Sequence, residues 1–409
     1  MRSEKTNQRD AAVAIRRVVR RGNCTGCGAC AAVAQNVSME QTNEGYLRPS
    51  LVDRNEPAGL TASEFKLFCP GYQLSPPEPT THSHAVFGRF VSVWEGHALD
   101  EQTRFEGSSG GVLSALAGWL VDDGRVETVS GVSASPQDAK KSVPVKIMTR
   151  EEASTLAGSR YAPAAGASLY NPAATSVAYT AKPCEVAAIQ RHSANTRGGE
   201  GPILLSFFCA GTPSQSATDS LASPLGNDSS ITELRYRGSG WPGDFRARNA
   251  AGAITARTYD EAWGKYLSPS IQWRCKICPD GTGEHADIAV GDYWAADERG
   301  YPLFTDRPGS SVVIARTPRG HQLLMDARRS GVIALASADL DKVARVQPTQ
   351  VIRRETLGGR LAGALLVGRL APRYAGYGLL ASTIARPRRA LRAAGGTALR
   401  VLKLRSGPL

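Results

Sequence analysis

Eight cysteines carry the strongest chemical signal in this sequence of 409 residues. Three of them lie at two-residue gaps in CTGCGAC (24–30), and the next one along the chain, Cys69, is followed by a proline. Three thiolates at this spacing, closed by a Cys-Pro pair, are typical of a ferredoxin-type [4Fe–4S] site. A four-cysteine zinc site is the alternative, although zinc sites rarely use three cysteines in this form. We therefore predict that Cys24, Cys27, Cys30 and Cys69 bind one iron–sulfur cluster.

The other four cysteines are Cys184, Cys209, Cys275 and Cys278. Taken singly, the first two are typical of buried core thiols, and the Cys-x-x-Cys pair is typical of a zinc site or a redox dithiol. However, Cys184 and Cys209 each end or follow an apolar strand and precede a turn. Strand ends of this kind can meet at one edge of a sheet, where four thiolates would form a second cluster site. Spacing alone leaves these alternatives open.

The elements that must position these cysteines alternate between strands and helices. Apolar runs predict strands at 86–96, 126–133, 176–180, 202–209, 286–290 and 311–315. A glycine-rich turn opens a predicted helix within 107–121, and further helices are predicted at 151–157, 184–192 and 320–330. The predicted fold class is α/β, with an α+β mixed-sheet core, a small N-terminal ferredoxin-like iron–sulfur module and a basic C-terminal tail.

The composition limits the compartment and the partners of the protein. The sequence shows no signal peptide and no run of about 18 apolar residues, so we expect no membrane span. Cysteine-rich motifs without an export signal indicate a reducing compartment, and we expect a cytoplasmic protein.

The net charge of +12 is concentrated in residues 351–409, which contain eleven Arg and one Lys against a single acid, Glu355. The near-neutral body argues against nucleic-acid binding, which needs a basic face on a folded domain. Two interpretations of the apolar and basic tail stay open. It is either an amphipathic helix in peripheral contact with anionic lipid on the inner face of a membrane, or a docking segment with a solvated basic end. We expect Gly395 and Gly396 to interrupt any single long helix.

From about residue 24 to residue 345, the sequence resembles the coenzyme F420 hydrogenase/dehydrogenase beta-subunit family, in the branch with an N-terminal ferredoxin-like cysteine motif. Three departures from the family pattern occur: Arg160 stands where Lys is usual, Glu185 stands where Gln is common, and Ala181-Lys182 replaces a Gly-Thr-like pair. The motifs that carry the resemblance are GSSGGVLSALAGWLVDDGRVE (107–127), AGSRYAPAA (157–165), KPCEVAAIQRH (182–192), FFCAGTPS (207–214), YRGSGWPG (236–243) and WRCKICPDGTGEHADIAVGDYW (273–294).

The resemblance implies that Cys184, Cys209, Cys275 and Cys278 together hold a second [4Fe–4S] cluster, with a bound FAD beside it. The turn 107–111 suits the flavin pyrophosphate because it opens a helix, although an ordinary tight turn is the alternative. The stretch from Asp280 to Asp292 is expected to border the flavin. The predicted flavin contacts are Ser108, Ser109, Gly110, Gly111, Ser159, Arg160, Tyr161 and Lys182. A packing role for Tyr161 and a solvated position for Lys182 are the alternatives.

The resemblance further implies an iron–sulfur flavoprotein oxidoreductase. Electrons would pass between a ferredoxin-type or F420 donor, the two clusters and FAD to a small organic acceptor, with polysaccharide-linked metabolism as one setting. The flavin would convert between one-electron and two-electron transfer. A non-catalytic electron-transfer subunit of a larger redox complex is the alternative. No catalytic residue is assigned, and a homo-oligomer is left open.

Five segments follow from the motifs and the composition. They are a flexible leader (1–22), the ferredoxin-like module with its linker (23–85), an N-terminal family domain with the flavin-binding turn (86–180), a C-terminal family domain with the second cluster site (181–350) and the tail (351–409).

Overall fold

The computed structural model describes residues 2–51, 60–78, 80, 82–196, 198, 200–226, 230–240, 243–294, 298 and 308–406. Some predicted segments therefore lie partly outside the described residues: 52–59 in the module, 79 and 81 in its linker, 241–242 in the YRGSGWPG motif, and 407–409 in the tail.

Helices occur from the N-terminus to the tail. They are α1 (Arg2–Arg20), α2 (Ala29–Val33), α3 (Ala62–Phe68), α4 (Glu101–Glu106), α5 (Val112–Asp122), α6 (Pro183–Thr196), α7 (Gln215–Ala222), α8 (Tyr259–Glu261), α9 (Trp273–Lys276), α10 (Pro318–Arg329), α11 (Leu340–Val346), α12 (Pro348–Leu366), α13 (Leu379–Ala385) and α14 (Pro387–Ser406).

The strands are β1 (Val37–Gln41), β2 (Leu47–Leu51), β3 (Gln73–Leu74), β4 (His82–His84), β5 (Gly88–Phe90), β6 (Ser92–Ala98), β7 (Thr128–Ala134), β8 (Ser142–Ile147), β9 (Val177–Ala181), β10 (Ile203–Phe207), β11 (Ile231–Arg235), β12 (Phe245–Asn249), β13 (Ile254–Arg257), β14 (Ile288–Tyr293), β15 (Ser310–Ala315), β16 (Ile333–Ser337) and β17 (Arg373–Tyr374).

Within the described ranges, eight strands form the central sheet in the order β16-β6-β15-β14-β10-β9-β7-β8. The four central strands β14, β10, β9 and β7 run parallel, and antiparallel strands continue the sheet on both sides. The apolar run of β10 is buried on both faces, with Leu204, Leu205 and Ser206 all inaccessible, as expected of a central parallel strand. The predicted mixed-sheet α/β fold is confirmed.

Two layers cover the sheet. On one face, α5 and α10 bury Leu116, Leu120 and Leu324 against strand residues such as Leu205 and Val313. On the other face, α6 packs together with the cysteine-bearing N-terminal segment in one continuous core. That core combines Cys27, Cys30, Phe65 and Phe68 with Tyr179, Val186 and Ile189. The N-terminal module is therefore packed onto the sheet layer through shared apolar side chains.

The prediction of a flexible leader at 1–22 is wrong, because residues 2–20 form helix α1. Ala11, Ile15 and Val18 are buried at helical spacing. These apolar side chains stabilise the helix by tertiary packing, which outweighs the polar character of the segment as a whole. The predicted strand 86–96 is divided between β5 and β6, and the predicted helix at 151–157 is a 3₁₀-helix, Glu151–Leu156.

The tail contains most of α12 and the helices α13 and α14, with strand β17 between α12 and α13. The expected interruption at Gly395 and Gly396 is wrong, since α14 runs through both. The reason is close packing against α12. A Cβ atom at Gly359 or Gly363 would lie 2.3 or 2.1 Å from a carbonyl oxygen of α14. Helix α12 itself crosses the predicted boundary at residue 350. None of the described helices is long and apolar enough to cross a membrane.

Candidate cofactor sites

The four N-terminal cysteines come together at the start of α2 and the end of α3, and we call them the module thiols. Cys24, Cys27, Cys30 and Cys69 line one cavity. Gly28 begins α2 in the left-handed region, with φ of 90°. Burial raises the pKa of Cys27 to about 11, and that of Cys30 well above its usual range, with the other three thiols contributing to the latter shift.

The other four cysteines meet at the carboxyl edge of the sheet, and we call them the strand-end thiols. Cys184 follows β9 and Cys209 follows β10, while α9 carries Cys275 and leads to Cys278. Burial raises the pKa of Cys209 to about 12, with Cys275 and Cys278 adding to the shift and Arg353 opposing it. The parallel direction of β9 and β10 explains the meeting, because their carboxyl ends lie at the same edge.

The segments that carry the two thiol sets are in direct contact through a layer that includes Ala167, Gln272 and Arg274. The Ala167 N–H donates to the carbonyl of Cys27 at 3.0 Å, and Gln272 Nε2 donates to the carbonyl of Thr25 at 2.9 Å. Burial raises the pKa of Cys184, and thiols from both sets, Cys27 and Cys209, add to that shift. Cys184 therefore lies within electrostatic reach of the module thiols as well as its own set.

The donor sets match iron–sulfur clusters in type and number, since each consists of four thiols. Within the described residues, no group of three or more His, Cys, Asp or Glu side chains is arranged as a metal-ion site. Iron–sulfur clusters and structural zinc ions both accept four thiolate ligands.

Beside the strand-end thiols lies a cavity of about 340 Å³, which is within the usual range for ligand sites. Cys209 forms part of its wall, so a molecule bound there would contact the second thiol set. Of the predicted flavin contacts, the wall includes Ser108, Ser109, Gly111, Ser159, Arg160, Tyr161 and Lys182. Gly110 is not part of the wall, and its N–H donates to the Ser311 hydroxyl at 3.0 Å.

Hydrogen bonds to neighbouring segments hold the turn 107–111 in place. The Ser109 hydroxyl donates to the Ser310 carbonyl at 2.6 Å, and the Ser159 hydroxyl donates to that of Ser108 at 2.8 Å. Gly111 has φ of 73°, and a Cβ atom there would lie 2.5 Å from the Thr103 carbonyl oxygen. Val112 and Leu113, the first residues of α5, line the cavity, and the unpaired N–H groups of a helix N-terminus can bind an anion.

Two charged residues predicted to contact flavin are also engaged within the protein. Arg160 donates to the carbonyls of Ala139, Lys141 and Leu234 and to the Ser142 hydroxyl, at 2.8–3.2 Å. These bonds use four of the five N–H donors of the guanidinium.

Lys182 is buried rather than solvated. Its ammonium lies 3.0 Å from the carboxylate of Glu185, which is fully buried, and donates to the Ala164 carbonyl at 2.8 Å. Burial alone would lower the pKa of Lys182, but Glu185 and Cys184 keep it above its usual value. Lys182 thus supplies a fixed positive charge between the cavity and the thiols.

The sequence analysis missed an ion pair in the cavity wall, in which Arg237 is buried and the Asp292 side chain is 26% exposed. Arg237 Nη1 lies 2.7 Å from Asp292 Oδ2, and Arg237 Nη2 donates to the Ser108 carbonyl. The Arg237 guanidinium also lies over the ring of Tyr259, 5.2 Å from its centroid. The signal was present in the YRGSGWPG motif, which contains Arg237 without revealing its partner. Asp280, by contrast, accepts the N–H groups of residues 282–284 and holds the turn that follows Cys278.

Helix α12 clamps the loops that carry the strand-end thiols. Arg353 donates to the carbonyls of Cys209 and Ala210 at 2.8 and 2.6 Å, and Arg354 donates to that of Pro279 at 2.8 Å. Arg360 donates to the Lys276 carbonyl at 2.9 Å. Arg353 and Arg354 are buried, so this part of the tail is a docking helix and only the later part carries exposed charge.

Comparison with known proteins gives two family matches along the chain. Residues 93–171 match the N-terminal part, and residues 174–341 the C-terminal part, of the coenzyme F420 hydrogenase/dehydrogenase beta subunit. The N-terminal module and α12–α14 lie outside these segments.

One curated relative is the coenzyme F420 hydrogenase subunit beta of Methanothermobacter thermautotrophicus. It is 22% identical over 262 residues, which are 60% of this chain and 84% of the relative. Among solved structures, a chain of the xenon-derivatised F420-reducing [NiFe] hydrogenase complex from Methanosarcina barkeri matches 68% of this chain and 96% of its own length. The identity is 20% and the TM-score is 0.49.

Proposed function

The chain belongs to the coenzyme F420 hydrogenase/dehydrogenase beta-subunit family, and we propose that it is an iron–sulfur flavoprotein oxidoreductase. Electrons would pass between a ferredoxin-type or F420 donor, two [4Fe–4S] clusters and FAD, and reach a small organic acceptor. The observation that carries this proposal is the presence of two four-cysteine sets on segments in direct contact, with Cys209 of the second set in the wall of a cavity of about 340 Å³.

The module thiols would hold one cluster and the strand-end thiols the other. FAD bound in the cavity would convert between one-electron and two-electron transfer. The chain's own residues prepare that cavity: the N-terminus of α5 favours the negative charge of a pyrophosphate, and the Arg237–Asp292 pair fixes the opposite wall. Lys182 places a positive charge between the cavity and the strand-end thiols.

A non-catalytic electron-transfer subunit is the second candidate. It is favoured by the curated relative, which is named as a subunit of a hydrogenase. Steady-state assays of the isolated chain with reduced ferredoxin or reduced F420 and artificial acceptors distinguish the two. Turnover by the isolated chain supports the enzyme, and turnover only after a partner is added supports the subunit.

The first experiment is anaerobic purification followed by measurement of iron, sulfide and flavin per chain. Two clusters and one flavin require about eight irons and one FAD. The matched variants Cys27→Ser and Cys275→Ser should each lose about four irons, from different sites. Zinc without flavin would overturn the proposal, and four irons in the unmodified chain would show that one thiol set holds no cluster.

We also propose that α13 and α14 form a peripheral contact with anionic lipid. Leu380, Ile384, Leu391 and Leu399 are largely exposed, and the sequence contains no acidic side chain after Glu355. Exposed apolar side chains beside arginines are typical of helices that lie on acidic bilayers. The protein should float with phosphatidylglycerol vesicles and not with phosphatidylcholine vesicles. Absence of flotation with both vesicle types rejects this contact.

A further inference from the structure

Arg274 lies in the layer between the two thiol sets. It belongs to α9, directly before Cys275, and its side chain is 1% exposed. Its Nη2 donates to the carbonyl of Pro70 at 2.8 Å, and Pro70 directly follows Cys69. One side chain therefore connects the segment of the strand-end thiols to the segment of the module thiols.

Most of the hydrogen-bonding capacity of Arg274 is unused. Within the described part of the chain, its Nε and Nη1 atoms are buried and have no hydrogen-bond partner. A guanidinium carries five N–H donors, and leaving them unpaired away from water is unfavourable. The ring of Tyr374 covers the guanidinium, 5.4 Å from its carbon to the ring centroid, and offers a flat apolar face. Among the sulfur ligands, Cys278 lies within hydrogen-bonding reach of the guanidinium that carries these idle donors.

The charge of Arg274 acts on both sets of thiols. It interacts with Cys275 and Cys278 of the strand-end set. In the module set, Cys24 lies within electrostatic reach of Arg274. A buried positive charge with idle donors beside sulfur ligands is suited to stabilising a negatively charged sulfur centre.

We propose that Arg274 is a positioning residue shared by both predicted clusters. Its idle N–H groups donate to cluster sulfur, and its charge stabilises the more negative, reduced form of each cluster. Both reduction potentials are therefore raised together, because hydrogen bonds to sulfur and local charge set the potential of such centres. This inference rests on the proposed function, since it requires a cluster at each thiol set.

The test is a redox titration of the anaerobically purified full chain, with both cluster signals followed by electron paramagnetic resonance. Arg274→Met removes the charge and the donors at similar side-chain length. Arg274→Lys keeps the charge but not the planar fork. Arg392→Met is the control, because Arg392 is an exposed arginine of α14.

We expect Arg274→Met to lower both potentials by at least the 59 mV that corresponds to a tenfold change in a one-electron equilibrium. Arg274→Lys should lower both by a smaller amount, and Arg392→Met should change neither by that margin. If the methionine variant fails to retain iron, the lysine variant decides. A downward shift of both potentials supports the inference, and unchanged potentials or a shift in one cluster alone overturn it.

Failure of the inference and failure of the proposed function have different signatures. If the unmodified chain contains about eight irons and the variants keep their potentials, Arg274 has no shared role and the cluster assignment stands. If the unmodified chain shows no iron–sulfur signal, the proposed function itself is wrong.

Discussion

Replacing Arg353 with methionine should open the turn that carries Cys209. Arg353 donates two hydrogen bonds to that turn, at 2.8 Å to the carbonyl of Cys209 and at 2.6 Å to that of Ala210. A hydrogen bond to a charged group contributes roughly 1.5–3 kcal/mol net. Methionine keeps most of the apolar stem but neither bond, so we expect a local loss of about 3 kcal/mol, equivalent to about a hundredfold increase in opening.

Hydrogen–deuterium exchange of peptides covering 207–214 measures this opening directly. The N–H groups of Phe208 and Cys209 are protected by the carbonyls of Val290 and Gly281, at 2.9 and 2.8 Å. Their exchange should accelerate in Arg353→Met, and iron should be lost from the strand-end thiols first. Arg392→Met is the control, since Arg392 is an exposed arginine of the same tail. Exchange within twofold of the unmodified protein would refute the clamp.

Two further predictions concern the cavity turn and the pH dependence of folding. Gly111→Ala should lose flavin and unfold more easily than Gly124→Ala. Both glycines have positive φ, but only at Gly111 would a Cβ atom meet a backbone carbonyl, at 2.5 Å. Equal retention of flavin in the two variants would contradict this steric reason. Burial raises the pKa of Glu284 to about 7, against the opposing effect of Arg354. Between about pH 4.5 and 7 the folded protein therefore holds a proton that the unfolded chain releases. The stability from this group is lost as pH rises through that window. Burial lowers the pKa of His285 to about 4, which gives the opposite slope because its stability is lost as pH falls from about 6.5 through about 4. Urea unfolding across this range should therefore show a steeper rise of unfolding free energy with pH in Glu284→Gln than in the unmodified protein, and identical slopes would exclude the shift.

The sheet could be predicted from the sequence because it depends on local pattern, whereas the meeting of the strand-end cysteines was one of the alternatives that spacing left open and that the family resemblance implied. The apolar runs at 176–180, 202–209, 286–290 and 311–315 overlap β9, β10, β14 and β15. Once β9 and β10 are parallel neighbours, Cys184 and Cys209 must leave the sheet at the same edge. The position of Cys184 and Cys209 at one edge therefore follows from strand direction alone.

The remaining features depend on partners that are far apart in sequence. Arg237 and Asp292 carry no mutual signal, although their side chains form an ion pair at 2.7 Å. From the sequence, arginines in a basic tail are expected to be solvated. In the packed structure, Arg353 and Arg354 instead donate to buried carbonyls. For Arg160, the charge was recognised, but the backbone carbonyls that engage it come from two separate segments.

The packing of the N-terminal module bears on how electrons would move. Phe65 and Phe68 are buried in the same core as Tyr179 and Val186 of the sheet layer. Full burial of one such side chain contributes about 1.5–3 kcal/mol, so a module that swung away would expose several of them at once. The backbone of Gly28 also approaches residue 165 closely, since a Cβ atom at Gly28 would lie 2.9 Å from the Ala165 carbonyl oxygen. The separation of the two thiol sets is therefore fixed by the fold, and transfer between their clusters would need no domain movement.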